Sequence, residues 1–168
     1  MQIVIFIPAR YPSTRFPGKP LAELTGATGE TRSLIHRSWE AAQAVAGVDA
    51  VYVLTDDDRI ASAARGFGAD VLMTSEAPRN GTERCAEGLA LLDDAPEIVV
   101  NLQGDAPLTP PHYVEALIEA MQADGKIAMA TPVLKTDPDH LSHLPRVHRR
   151  FPLERRPDRL NAQAPPHV

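Results

Sequence analysis

At 168 residues, with 43% hydrophobic and 23% charged side chains, the chain is sized for one globular domain with a real core. The net charge of −5 is unevenly placed: residues 1–140 hold 11 Lys and Arg against 20 Asp and Glu, while residues 141–168 hold 6 Arg against 2 acids. This acidic body excludes general nucleic-acid binding, and no apolar run nears the roughly 20 residues that cross a bilayer. The single cysteine, Cys85, excludes an internal disulfide and a multi-cysteine metal site, and fits a reducing, cytoplasmic setting.

In chain order, Met1 to Ile7 is a continuous apolar run, as expected of a buried parallel strand and too short for the core of a signal peptide. Arg32 to Val45 carries Leu34, Ile35, Trp39, Ala42 and Val45 at near-helical spacing, with Gly47 as a stop. Val51 to Leu54 predicts a short strand, and Asp56-Asp57-Asp58 opens a helix over Arg59 to Arg65. Asp70 to Met73 predicts a strand, Gly81 to Leu92 a helix, and Ile98 to Leu102 a further strand. Pro110-Pro111 begins a helix through Met121, and Ile127 to Thr131 closes the pattern as a strand. Such alternation predicts an α/β fold with a mostly parallel sheet covered by helices on both faces.

Three segments carry chemistry. The loop Pro8-Ala9-Arg10-Tyr11-Pro12-Ser13-Thr14-Arg15-Phe16-Pro17-Gly18-Lys19-Pro20 follows the first strand and presents three cations on a backbone restrained by proline. At the carboxyl end of a strand it reads as a phosphate grip, or else as a solvated surface loop or a partner contact. It is neither a Walker A loop nor a dinucleotide-binding glycine turn. Gln103-Gly104-Asp105 leaves the Ile98–Leu102 strand by a sharp turn. Asp105 reads either as a ligand of Mg²⁺ or as a cap for the helix beyond it. In Arg79-Asn80-Gly81-Thr82-Glu83-Arg84-Cys85-Ala86-Glu87, Asn80 or Thr82 can cap a helix on which Glu83 and Glu87 stand one turn apart, or the polar groups can read a base edge. Cys85 fits a small core position better than a nucleophile, and the histidines show no ligand spacing.

Taken together, Ile7–Tyr11 with Ser13-Thr14-Arg15 and Pro17–Leu21, Thr55-Asp56-Asp57, Gly81–Arg84 with Glu87, and Val100–Asp105 with Pro107-Leu108 resemble the 3-deoxy-manno-octulosonate (KDO) cytidylyltransferases. The resemblance covers about residues 2–135. It implies a Rossmann-like nucleotidyltransferase (glycosyltransferase-A-like) fold that is C-terminally incomplete, and a reaction joining CTP and the sugar acid KDO to give CMP-KDO and pyrophosphate for lipopolysaccharide. By this resemblance Arg15 and Lys19 would hold the β- and γ-phosphates and stabilise the departing charge, and Ala9 and Arg10 would lie at the nucleotide. Thr82 and Arg84 would line the base or sugar rim, Gln103 the sugar side, and Asp105 would bind Mg²⁺. The family's later part supplies much of the sugar pocket, a second metal carboxylate and a homodimer surface, which residues after about Asp139 do not resemble. Residues 1–139 are therefore expected to form the nucleotide-binding domain, and the Pro- and Arg-rich residues 140–168 an irregular or disordered tail. A frameshifted or otherwise shortened product, or a lineage-specific short form, would explain that change. An inactive CTP-binding homologue and a cytidylyltransferase for another sugar acid are the alternatives.

Overall fold

The computed structural model describes residues 2–12 and 16–133; Arg15 and the 140–168 segment lie outside them. Strand β1 (Ile3–Pro8) leads through a 3-10 turn (Lys19–Leu21) into a small hairpin, β2 (Glu23–Thr25) and β3 (Thr31–Ser33). Helix α1 (Leu34–Gln43), strand β4 (Ala50–Thr55), helix α2 (Asp58–Gly66) and strand β5 (Asp70–Met73) follow. Helix α3 (Gly81–Ala90), strand β6 (Ile98–Asn101) and helix α4 (Pro111–Ala123) complete the described elements.

The main sheet runs in the order β5-β4-β1-β6, with every pairing parallel. Strand side chains alternate between faces, and β1 shows why its sequence is apolar throughout. Ile3, Ile5 and Ile7 join one core with Ile35 and Ala42 of α1, Ile60 and Ala64 of α2, and Val114 and Ile118 of α4. Val4 and Phe6 join a second core with Leu54 and Cys85 of α3. Helices therefore cover both faces, as the sequence predicts. Burial pushes the Cys85 thiol up to about 11, so it is neutral and packs as a hydrophobe.

The helix starts are chemically explicit. Asp57 accepts from Arg59 N and Ile60 N, and Asn80 accepts from Glu83 N. Ser33 accepts from His36 N at the start of α1. His36 then stacks on Phe67 with ring centroids 4.2 Å apart, a packing role.

Two expectations are corrected. The helix expected from Arg32 begins at Leu34, because Thr31 to Ser33 pair antiparallel with Glu23 to Thr25. Arg37 bolts that hairpin to α1 by donating to the carbonyls of Leu24 and Glu30. The strand expected at Ile127 to Thr131 does not form. Ile127 N instead donates back to the Asp124 carbonyl in a turn, and the segment pairs with no strand among the described residues.

The chain follows β1 to β4 to β5 in one direction, then crosses to the far side of β1 for β6. Where strand order reverses, the loops leaving neighbouring strands diverge and open a crevice at their carboxyl ends. Here those loops are the one that follows Pro8 and the one that follows Asn101.

Candidate active site

A cleft of about 350 Å³ opens at this switch point, lined in part by Ala9, Arg10, Lys19, Arg79, Gln103 and Asp105. Its first wall continues β1. Ala9 N donates to the Leu54 carbonyl at 2.8 Å, so Ala9 remains buried and only Arg10 turns out to solvent. The chain then doubles back, with Gly18 N donating to the Tyr11 carbonyl at 2.9 Å. Gly18 has φ 70°, a left-handed conformation open to glycine at little cost, and it delivers Lys19 into the 3-10 turn.

The second wall is the turn after β6. Leu102 N donates to the Phe6 carbonyl at 3.0 Å, which extends the pairing by one residue and projects Gln103, Gly104 and Asp105 beyond it. A Cβ at Gly104 would lie 2.8 Å from the Pro8 carbonyl oxygen, so the two loops approach as closely as only glycine allows. Ser38, fully buried on α1, places its hydroxyl 2.9 Å from the Gly104 carbonyl and ties the turn to the helix beneath it.

The two walls meet in an ion pair. Lys19 Nζ lies 2.6 Å from Asp105 Oδ2, with side chains 45% and 53% exposed. Residues 86 apart in the chain are thus brought within one hydrogen bond at the mouth of the cleft. Arg10 Nη1 donates across to the Arg79 carbonyl at 3.4 Å, and Gln103 Nε2 to Asn101 Oδ1 at 2.9 Å.

The third wall is the start of α3. Asn80 caps it, and Glu83 reaches back to Arg79 N at 2.8 Å, an arrangement close to a capping box. That backbone hydrogen bond, with Arg79's charge, holds the Glu83 carboxyl below its ordinary range. Arg84 lines the cleft yet is buried, with its side chain 4% exposed. Its Nη2 lies 3.0 Å from Asp56 Oδ1, without hydrogen-bond alignment, and its Nη1 donates to the Thr74 hydroxyl and the Ser75 carbonyl. Thr82 is exposed on the first turn of α3 and is not among the residues lining the cleft.

The structure thus brings together Ala9, Arg10, Lys19, Arg84, Gln103 and Asp105, and leaves Thr82 to one side. Arg15 lies outside the described residues. Sequence reasoning missed Pro78 as a lining residue, placed Arg79 at the head of the α3 cluster without a role, and missed Asp56 as the partner of Arg84. The Thr55-Asp56-Asp57 motif carried a signal for the last: one acid caps α2, and its neighbour is free to pair elsewhere.

The lining cations are Arg10, Lys19, Arg79 and Arg84, and the lining acid is Asp105. Three of these cations face carboxylates, Lys19 with Asp105, Arg79 with Glu83 and Arg84 with Asp56, so Arg10 gives the cleft its excess of positive charge, which favours an anion there. Among the described residues no group of three or more His, Cys, Asp and Glu could hold a metal ion. Asp105 nevertheless fits Mg²⁺, a hard cation that takes one or two carboxylates and completes its shell with water and substrate phosphates.

The family model described as cytidylyltransferase matches residues 4–149. The chain belongs to the cytidylyltransferase family. That match runs beyond residue 135, where the motif resemblance stops. The chain is 44% identical over 138 residues to the 3-deoxy-manno-octulosonate cytidylyltransferase, mitochondrial, of Arabidopsis thaliana, covering 82% of this chain and 46% of that protein. It is 50% identical over 132 residues to the enzyme of the same name from Anaeromyxobacter dehalogenans (strain 2CP-1), covering 78% and 52%. A solved structure of CMP:2-keto-3-deoxy-manno-octonic acid synthetase complexed with CTP superposes with a TM-score of 0.69 at 39% identity, covering 76% of this chain and 50% of that one. The resemblance drawn from the motifs is borne out, and so is the nucleotidyltransferase fold. The chain spans about half the length of the curated relatives it matches.

Proposed function

We propose that the cleft binds CTP, and that the chain serves the transfer of CMP to KDO with release of pyrophosphate. A hydroxyl of the sugar acid attacks the α-phosphorus, a new P–O bond forms, the bond to the β-phosphate oxygen breaks, and the hydroxyl proton passes to solvent. Such a displacement requires alignment and neutralisation of charge more than covalent catalysis. Lys19, Arg10 and, by the resemblance, Arg15 are the groups to receive the triphosphate, and Gln103 faces the sugar side. Bound Mg²⁺ would neutralise phosphate charge, with Asp105 to hold it. In this reading Lys19 exchanges its carboxylate partner for a phosphate oxygen as nucleotide enters.

The observation that carries the reading is the meeting of Lys19 and Asp105 in a cationic cleft at the switch point, in a chain similar to proteins that bear this activity in their names. Cytoplasmic action in lipopolysaccharide synthesis follows from the same reading; among the described residues no helix is long and apolar enough to cross a membrane. The test is pyrophosphate release by purified chain with Mg²⁺, CTP and KDO. Release is expected only when both substrates are present, and no release above background at high protein concentration refutes turnover by this chain.

A second reading is CTP binding without turnover, for which the cation-lined cleft at the switch point is sufficient. Calorimetry then records CTP binding that weakens in Lys19→Met, while pyrophosphate release is absent. Assembly as a homodimer belongs to the first reading, and sedimentation tests it.

A further inference from the structure

The Thr55-Asp56-Asp57 motif and the helix that follows it have no part in the reading above beyond pairing Arg84. Yet α2 packs against the 3-10 turn that carries Lys19. At its first turn, Arg59 is held by its own helix cap. The Asp57 carboxylate accepts from the Arg59 backbone N at 3.0 Å, and from its side chain through Nε at 3.0 Å and Nη2 at 2.6 Å. A two-point grip of this kind orients a planar guanidinium that is otherwise 59% exposed.

What the guanidinium is held against is an aromatic ring. Its central carbon lies 3.3 Å from the centroid of Tyr11. The same ring is closely approached by Gly18: a Cβ there would meet Tyr11 Cε2 at 3.0 Å and Cζ at 3.1 Å. Gly18 is also bonded to Tyr11 through the backbone, N to O at 2.9 Å, and its own carbonyl accepts from Leu21 N at 2.9 Å. A continuous line of contacts therefore runs from the cap of α2 to the residue immediately before Lys19.

We propose that Arg59 is a positioning residue for the loop that carries Lys19, acting through its cation–π contact with Tyr11 and the packing of Tyr11 on Gly18. It touches no reacting atom; it narrows the arrangements of the loop before nucleotide arrives, which lowers the ordering cost of binding. The consequence for CTP rests on the proposed function, whereas the ordering of the loop does not.

The test has two arms. In the first, amide hydrogen exchange is measured on the nucleotide-free protein. Arg59→Met is expected to speed exchange at Gly18 and Leu21, while the amides from Ala61 to Gly66 keep wild-type rates because the Asp57 cap remains. In the second, calorimetry with CTP should show Arg59→Met and Tyr11→Leu each weakening binding about two- to fivefold, the size of an exposed cation–π contact. The double variant should be no weaker than either single one. Tyr11→Phe, which keeps the ring, should stay near wild type, and Arg59→Lys should fall between, a rescue that loss of general stability would not produce. Unchanged exchange at Gly18 and Leu21 in Arg59→Met, or losses that add in the double variant, would overturn the proposal. If the wild-type chain binds no CTP, the proposed function fails, and the exchange arm by itself decides the role of Arg59.

Discussion

Replacing Lys19 by Met removes the ammonium and keeps most of the stem, and the structure allows its two consequences to be separated. In the free protein the ammonium pairs with Asp105 at 2.6 Å, but both side chains are about half exposed. Exposed pairs contribute about 0.2–1 kcal/mol, so Lys19→Met should change stability by no more than that. A hydrogen bond from a charged group to phosphate is worth about 1.5–3 kcal/mol. Lys19 must leave Asp105 to make it, so the net loss in the variant is about 0.5–3 kcal/mol, roughly a 2- to 150-fold weaker Kd for CTP. Asp105→Asn supplies the converse. It releases Lys19 from its partner, so without Mg²⁺ it should tighten CTP binding slightly, by up to about fivefold, and that gain should shrink as salt screens the pair. Calorimetry on the three proteins at about 0.1 M salt, with and without Mg²⁺, measures these terms, and thermal unfolding checks the fold. Wild-type CTP affinity in Lys19→Met, or equal weakening by Asp105→Asn without Mg²⁺, would refute the exchange of partners.

Other perturbations test the scaffold around the cleft. Gly104→Ala drives a Cβ to within 2.8 Å of the Pro8 carbonyl oxygen, a backbone atom with little room to yield. A loss of about 1–3 kcal/mol in urea unfolding is expected, with CTP affinity falling alongside, and wild-type stability would contradict the close approach. Arg84→Met leaves the 12%-exposed Asp56 without its cation, and should cost about 3–5 kcal/mol, with part of the loss recovered in Arg84→Met/Asp56→Asn. Equal melting temperatures for the single and double variants would count against a buried pair. Asp57→Asn keeps a capping oxygen but removes the charge. Hydrogen bonding from Arg59 holds the Asp57 carboxyl below its ordinary value, so its charge-linked stability is complete above the unfolded value near 4 and is lost as pH falls through the lower folded value. The stability gap between wild type and Asp57→Asn should therefore be flat from about pH 5 to 7 and close below about pH 4; a gap that widens with acid would refute the assignment.

Most of the sheet was legible because burial on both faces forces a distinctive sequence. Ile3 to Ile7 and Val51 to Leu54 read as strands, since each residue must be apolar whichever face it meets. The acidic start of α2 was legible as charge suited to a helix N-terminus, and Asn80 as one of two cap candidates for α3; the structure singles out Asp57 and Asn80 as the residues whose side chains accept from the backbone N–H groups. The hairpin Glu23–Thr25 with Thr31–Ser33 was not legible, because its strands are three residues long and its hold on the protein is Arg37, donating from a helix to carbonyls 7 and 13 residues away. Nor was the failure of Ile127 to Thr131 to form a strand, since a strand exists only with a partner for its ladder.

By itself the sequence determined the α/β class, the cationic loop after β1, the Gln103–Asp105 turn after β6 and the family to which these belong, because spacing and residue type are local properties. Tertiary structure decided which of those residues share a site. The crossing of the chain to the far side of β1 set Lys19 against Asp105, turned Arg84 inward onto Asp56 and left Thr82 outside the cleft. The pairing of β4 beside β1 laid Arg59 over Tyr11. Those relations join residues between 28 and 86 positions apart, and only the packing of helices on a parallel sheet with that strand order brings them together.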